Sequence, residues 1–436
     1  MIGHWTATRR RARRLAALVL SAVLLVVAFT PVRAGAQQDV PPAQVVVAWN
    51  RALLDALTAA NTPPPPAMRA GAIVATAVFD AVDGLTHRYA PYRLTADGPR
   101  GASAQAAAAG AAHEALVALF PSQQAAFDAL LASTLARLYG HDRDPGAVAR
   151  GLACGASVAH TILALRATDG LTATLPPYQV SPTIGRWQPT PPAFAPAPAF
   201  RQFATMTPWA LSSPDQFLPG QPPPLTSTRY ATELNEVKIL GSATSTARSA
   251  FGTQTAQFWQ SAAPVVIWDP VADALITGHH LGLTDAARLL AQENMAMADA
   301  VIAVWNAKNY YDTWRPITAI QRADQDGNPR TDPNPIWQPL LVTPAFQEYP
   351  AGHPGVSAAA AAVLAHHFGD HTSYTLTSPG MPGITRTLPS FTAGVAQVID
   401  ARVYGGIHFR FAGQVATKMG RQVAGYLEAT QLRRLR

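Results

Sequence analysis

The chain of 436 residues has a single cysteine, Cys154. No intrachain disulfide can form, and no CxxC or Cys/His grouping exists to hold zinc through thiolates. Charge is sparse too: 14% of residues are charged and 48% are hydrophobic, a balance that excludes a mainly disordered chain and is enough to bury a substantial core. The 30 glycines and 38 prolines fall short of a collagen-like or low-complexity composition, and the prolines cluster. Alternating strand-like stretches are few and short, no repeat of fixed period occurs, and beyond the leader no apolar run reaches the roughly 18 residues of a membrane span.

The charge that is present sums to +7, which would suggest a nucleic-acid partner if it were spread over the folded part. It is not. Arg9, Arg10, Arg11, Arg13 and Arg14 precede the apolar run Leu15 to Thr30, and Ala34-Gly35-Ala36 supplies the small residues that a signal peptidase reads. Residues 1–36 are therefore expected to be a cleaved export signal, by the general secretory or the twin-arginine route, giving a secreted or periplasmic protein. Removing them, with six arginines and no acid, leaves a balance of +1. Neither a nucleic-acid partner nor a stable membrane span is expected of the mature chain.

Apolar residues recur at helical spacing through residues 37–436, which read as a single all-α helical bundle. Helices are expected over Ala43 to Thr58, Met68 to Leu85, Ala102 to Phe120, Gln123 to Tyr139, Pro145 to Thr168, Arg229 to Leu240 and Thr244 to Gln260. More are expected over Ala272 to Leu281, Asp285 to Ala307, Tyr310 to Arg322, Pro354 to Phe368, Ser390 to Tyr404 and His408 to Ala429. Asn61 to Pro66 reads as a proline linker. Residues 175–225 hold 14 of the 38 prolines together with Trp187, Phe194, Phe200, Phe203 and Trp209. Solvated linkers seldom carry that many large aromatics, so this long Pro-rich arm should be strapped in order over the helices.

The chemistry lies between residues 305 and 412. Lys308 and Arg315 stand seven apart, two helical turns, so a near-helical backbone would project both cations to one side, where they can clamp an oxyanion. Tyr349-Pro350-Ala351-Gly352-His353-Pro354 precedes an alanine-rich run and marks a helix start, with Gly352 letting backbone N–H groups approach a ligand and His353 at the positive end of the helix dipole. Arg402 is followed by Tyr404-Gly405-Gly406-Ile407-His408, and the glycine pair should break the helix so that Arg402 and His408 meet around one ligand. A lone cation pair is usually a solvated face and a lone histidine usually structural. Together, two Arg, one Lys, two His and a glycine turn are an inventory for holding an oxyanion and moving protons beside it.

This pattern resembles the three-part signature shared by vanadium-dependent haloperoxidases and type 2 phosphatidic-acid phosphatases: Lys308, six residues, Arg315-Pro316; then Pro350-x-Gly352-His353; then Arg402, five residues, His408. The resemblance extends upstream, in a form similar to secreted bacterial haloperoxidase-like proteins, through Arg69 to Gly84, Trp187 to Pro192 and Tyr230 to Gly241. It implies vanadate as cofactor, with His408 as the apical vanadium ligand, Lys308, Arg315, Arg402 and the Gly352 N–H on the equatorial oxygens, and His353 as the acid–base residue that activates hydrogen peroxide for halide oxidation. Trp305 and Phe346 match aromatic positions near the halide in the chloroperoxidase branch; two aromatics packed in a core would read the same way. In a phosphatase of the same family the pocket takes a small phosphoester, His408 attacks phosphorus and His353 protonates the leaving group, with no cofactor.

Three positions depart from the family: Ala351 and Ala401 where Ser is frequent, and Ala412 where an Asp would orient the ligand histidine. They leave haloperoxidase, acid phosphatase and a non-catalytic phosphate- or vanadate-binding protein all open. Other polar groups read as structural: His366, His367 and His371 as a helix-end cluster rather than a metal site, His279 and His280 likewise, and Asp326-Gly327-Asn328 as a turn. Glu293 and Asp299, on the helix that leads to Lys308, are expected in structural ion pairs or as partners of the pocket cations.

Overall fold

The structure, a computed structural model, describes residues 41–435 apart from 95–97 and 142–143; the expected export signal lies outside the described residues. The first half is helical: α1 Gln44–Ala59, α2 Pro64–Thr86, α3 Ala104–Leu119, α4 Gln124–His141 and α5 Pro145–Ala167. After the arm come α6 Thr228–Leu240, α7 Ala250–Gln260, α8 Pro264–Gly278, α9 Leu283–Tyr311 and the short α10 Pro316–Gln321. Then follow α11 Gly352–Phe368, a hairpin of β1 Tyr374–Thr377 and β2 Thr385–Leu388, α12 Phe391–Tyr404 and α13 Arg410–Thr430. The expected all-α architecture holds, with one two-stranded antiparallel sheet among the described residues.

Helix α9 is the axis of the bundle. It is buried on nearly every side from Thr284 to Lys308, its polar Gln292, Glu293, Asn294, Asp299 and Lys308 included, and packs against α2, α11 and α13. Small residues set the closest crossings: a Cβ on Gly420 of α13 would lie 2.1 Å from the Gly355 carbonyl of α11, and one on Gly155 of α5 would lie 2.1 Å from the Ala107 carbonyl of α3. The α5 helix is long and apolar enough to cross a membrane by composition alone; here that glycine face is closed against α3.

The helix expected from Thr244 starts only at Ala250, behind the Ser249 N-cap, and three further boundaries differ from the sequence expectation for identifiable reasons. The supposed linker ends in the first turn of α2, because Pro64 and Pro65 occupy positions whose N–H groups have no helical acceptor anyway. Helix α8 starts at Pro264 and runs through Pro270; burial of Val265, Ile267, Trp268 and Val271 outweighs the hydrogen bond that Pro270 cannot make. The helix expected over Tyr310 to Arg322 is interrupted, since α9 ends at Tyr311 and Asp312 takes a left-handed conformation at φ 49°.

The arm is ordered as expected, and acids pin it to α9. Asp299 accepts the backbone N–H groups of Trp209, Ala210 and Leu211 at 2.7, 2.8 and 3.1 Å. Asp312 accepts the Tyr178 hydroxyl at 2.7 Å, and its own carbonyl accepts the Trp187 N–H at 2.9 Å. Asn306 and Asn309 donate to the Ala204 and Arg201 carbonyls. These side-chain contacts replace the ladder that a proline-rich segment cannot build.

Candidate active site

Lys308 and Arg315 do converge, but not along one helix. Lys308 lies in the last turn of α9, while Arg315 is the extended N-cap residue of α10, at φ −84° and ψ 156°. Both reach the segment before α11: Lys308 Nζ donates to the Gln347 and Glu348 carbonyls at 2.6 and 3.1 Å, and Arg315 Nη1 lies 3.5 Å from the Gln347 carbonyl. Both side chains are fully buried. The third cation, Arg402, closes α12 and is held by Nη2 to Gln260 Oε1 at 2.9 Å.

The glycine pair acts as expected. Gly406 has φ 75°, and the chain folds so tightly that the Ile407 and His408 N–H groups both point to the Arg402 carbonyl, at 3.2 and 3.4 Å. A Cβ on Gly406 would meet the Gly241 carbonyl oxygen at 2.4 Å, so no other residue fits. His408 is thereby returned to the pocket, with Nε2 3.3 Å from Arg315 Nη1. His353 sits on the first turn of α11, whose N-cap, Ala351, offers no side-chain acceptor. The first-turn N–H groups stay available to an anion.

The residue that sequence reasoning missed is Glu348. Its Oε1 lies 3.1 Å from His408 Nδ1 and accepts the Phe409 N–H at 3.0 Å. A hydrogen on Nδ1 directed at this carboxylate leaves the Nε2 lone pair facing the pocket, a tautomer assigned from the network. Ala412 therefore does not leave His408 without an orienter; Glu348 fills that role from another segment. Ala412 instead accepts the Ala351 N–H through its carbonyl at 3.1 Å, and Ala401 is buried beside Arg402.

Electrostatically the pocket is positive and closed to bulk solvent. Burial is the main force lowering the proton affinity of Lys308, Arg315, Arg402, His353 and His408, and neighbouring cations add to it for all of these but Arg315, where Glu348 opposes the shift. The guanidinium groups remain charged at neutral pH, and both imidazoles are held neutral. Burial pushes the Glu348 carboxyl up to about 7, opposed by Lys308 and Arg315. Four buried guanidinium nitrogens, Nε and Nη2 of Arg315 and Nε and Nη1 of Arg402, have no partner. Orphaned buried donors are costly, and an oxyanion beside the two neighbouring guanidinium groups would offer them acceptors. The donor set therefore fits vanadate or phosphate.

A cavity of about 40 Å³ touches Gly352, His353 and His408 and is otherwise walled by apolar groups, among them Met68, Phe200, Trp305 and Phe346. Its size suits a few water-sized molecules. Trp305 and Phe346 face each other at 5.2 Å between centroids, with Lys308 Nζ 5.8 and 5.1 Å from the two rings. A Cβ at Gly352 would stand 3.4 Å from Trp305, within the space the cavity uses. Phe200, from the arm, is a wall residue that sequence reasoning did not single out.

The other polar groups stay outside. Asp299 anchors the arm, and Glu293 is buried with both carboxylate oxygens unpartnered, so neither pairs with a pocket cation. His366 pairs with Glu428 at 3.3 Å, His367 meets Gln292 Oε1 at 2.9 Å, and His279 packs on Phe368. No group of three or more His, Cys, Asp or Glu among the described residues is arranged to hold a metal ion. Asp326 accepts from the Asn328 N–H and the Thr331 hydroxyl, as a turn does.

The fold agrees with that of vanadium-dependent haloperoxidases of known structure, one of the two families whose signature the sequence resembles. More particularly, residues 288–434 match the family model of the VCPO second helical-bundle domain. The chain is similar to a bacterial vanadium-dependent iodoperoxidase, at 27% identity and TM-score 0.78 over 90% of this chain and 97% of that one. It shares its fold with a bacterial vanadium-dependent chloroperoxidase in apo form, at 17% identity and TM-score 0.65 over 90% and 94% of the two chains, and in holo form, at 18% and 0.62 over 89% and 92%. No curated protein matches by sequence.

Proposed function

We propose that the chain is an exported vanadate-dependent haloperoxidase that uses hydrogen peroxide to oxidise halide. The observation that supports this reading is the set of four unpartnered guanidinium nitrogens of Arg315 and Arg402 near an oriented His408, which itself lines a small, mostly apolar cavity. Vanadate would supply a Lewis-acid centre that activates peroxide without changing oxidation state. Lys308, Arg315, Arg402 and the Gly352 N–H would hold its oxygens, and His408 Nε2 would be its ligand. Glu348 fixes the His408 tautomer. His353, neutral and half-buried on the cavity wall, is suited to take a proton from incoming peroxide and return it to the leaving oxygen. Trp305 and Phe346 would keep bulk water from a halide bound beside Lys308.

A second reading, acid phosphatase, gains from Glu348. An acceptor on Nδ1 is what a nucleophilic histidine needs in order to attack phosphorus. Against it stands the cavity, which offers few polar groups to an alcohol leaving group. The deciding experiment is to assay purified mature protein, with and without orthovanadate, for peroxide-driven halide oxidation and for phosphoester hydrolysis. Halide oxidation that requires vanadate supports the proposal. Hydrolysis that vanadate inhibits replaces it with the second reading, and binding without turnover replaces both with a non-catalytic oxyanion-binding protein.

A further inference from the structure

Met68 stands on the second turn of α2, is closed off from bulk solvent, and lines the cavity that contains His353 and His408. It contributes the only sulfur to that wall. Pro64, Pro65, Pro264, Val301 and Phe200 of the same wall are inert toward an electrophilic oxidant; the other groups there that such an oxidant can attack are the Trp305 indole and the His353 and His408 imidazoles. The other described methionines lie elsewhere: Met206, Met295, Met297 and Met419 are buried away from this cavity, and Met381 is half-exposed between β1 and β2.

We infer that Met68 is a self-oxidation site, the one thioether that an oxidant formed at His408 and His353 reaches without leaving their cavity. The inference rests on the peroxidase reading above and extends it to a modification of the chain itself. The oxidant is the hypohalous acid that halide oxidation produces. The thioether sulfur attacks its halogen, an S–X bond forms and the O–X bond breaks to release hydroxide. Water then displaces halide from the sulfonium with loss of two protons. The net change is one thioether and one hypohalous acid converted to one sulfoxide, one halide and one proton, with sulfur oxidised by two electrons and halogen reduced by two. Methionine sulfoxide is polar, and the prolines and valine beside it offer no hydrogen-bond donor. The cavity would be reshaped at the point nearest the chemistry, so the enzyme loses activity in proportion to turnovers rather than to time.

The test maps sulfoxide by mass spectrometry in two samples of the mature protein. One is loaded with vanadate and turns over peroxide and bromide without an organic acceptor, while bromide oxidation is followed in the same tube. The other is vanadate-free and receives the same total oxidant as reagent hypobromite. The expected result is a larger oxidised fraction at Met68 than at Met381 in the first sample and the reverse order in the second. Bromide oxidation with Met68 still reduced, or with Met381 oxidised first, overturns the inference and leaves the peroxidase reading intact. No oxidation of bromide, nor of iodide in a parallel sample, overturns both. Met68→Leu provides the second measure: with each protein normalised to its own initial rate, the variant should lose less activity per turnover than the wild type, and equal loss counts against the proposal.

Discussion

Replacing Arg402 by Met should move two observables in opposite directions. Arg402 is 2% exposed, two of its three guanidinium nitrogens have no partner, and Arg315 lies near enough to lower its proton affinity. In the ligand-free protein this is a desolvated cation with one hydrogen bond, to Gln260. A methionine of similar length removes the orphan donors and the repulsion, so the ligand-free variant should melt higher than the wild type. With an oxyanion the sign reverses. Two charge-assisted contacts at about 1.5–3 kcal/mol each, less the relieved repulsion, make a net loss of at least about 2 kcal/mol, about thirtyfold in affinity. At orthovanadate equal to a hundred wild-type Kd values, the wild type gains about 2.7 kcal/mol of stability and the variant only about 0.9 kcal/mol. Thermal melts with and without orthovanadate, read beside titration calorimetry, measure both. A variant that melts lower without ligand, yet keeps the full vanadate shift, would refute the assignment of Arg402 to an oxyanion pocket.

His353→Ala should retain most of the vanadate affinity, since Lys308, Arg315, Arg402 and His408 remain, while turnover falls by about a hundredfold; in His408→Ala the affinity itself should collapse, and calorimetry with initial rates separates the two. For Glu348 the folded carboxyl holds its proton up to about 7 against an ordinary 4.5. The stability it contributes is therefore complete below 4.5 and is lost as pH rises through about 7. Glu348→Gln should flatten that part of the curve of unfolding free energy against pH, and an unchanged curve would show that the carboxyl is not desolvated. Glu293 is buried with no partner on either oxygen, and burial, with Asp269 and Asp273 nearby, raises its proton affinity. Its contribution likewise disappears as pH rises, so the stability of Glu293→Gln relative to the wild type should increase with rising pH in denaturant titrations.

Much of the fold and most of the site are legible in the amino-acid sequence, for physical reasons that differ by element. Helices α9, α11 and α12 announce themselves by apolar content and by their breakers, and the Gly405-Gly406 pair predicts the return of His408 because a tight reversal needs a residue without a Cβ. The arm is legible through its aromatics. The same rules misplace the start of α8, where a buried tryptophan and three aliphatic residues override Pro270. Lys308 and Arg315 are joined for an incomplete reason: seven-residue spacing implies one helical face, whereas the left-handed Asp312 breaks the helix and the Gln347 and Glu348 carbonyls draw Lys308 and Arg315 together. Glu348 stays hidden in the sequence because its partner is 60 residues away and no local pattern marks an acid between Gln347 and Tyr349. An acid five residues before His353, in an otherwise apolar stretch, is the one hint available there.

Asp312 gives the arm a reach that its distance from the chemistry would hide. Its carboxylate takes the Tyr178 hydroxyl and the Gln347 side-chain amide, at 2.7 and 3.2 Å, and its carbonyl takes the Trp187 N–H. The arm, the end of α9 and the segment whose carbonyls hold Lys308 thus share one residue as a rivet. Laboratory evolution of this protein should then recover activity-altering changes among Tyr178, Trp187 and their neighbours, residues that line no part of the oxyanion pocket. Swapping the arm with that of a relative would exchange more than a surface loop: it would alter the support of the Gln347 segment, on which Lys308 and Arg315 rest.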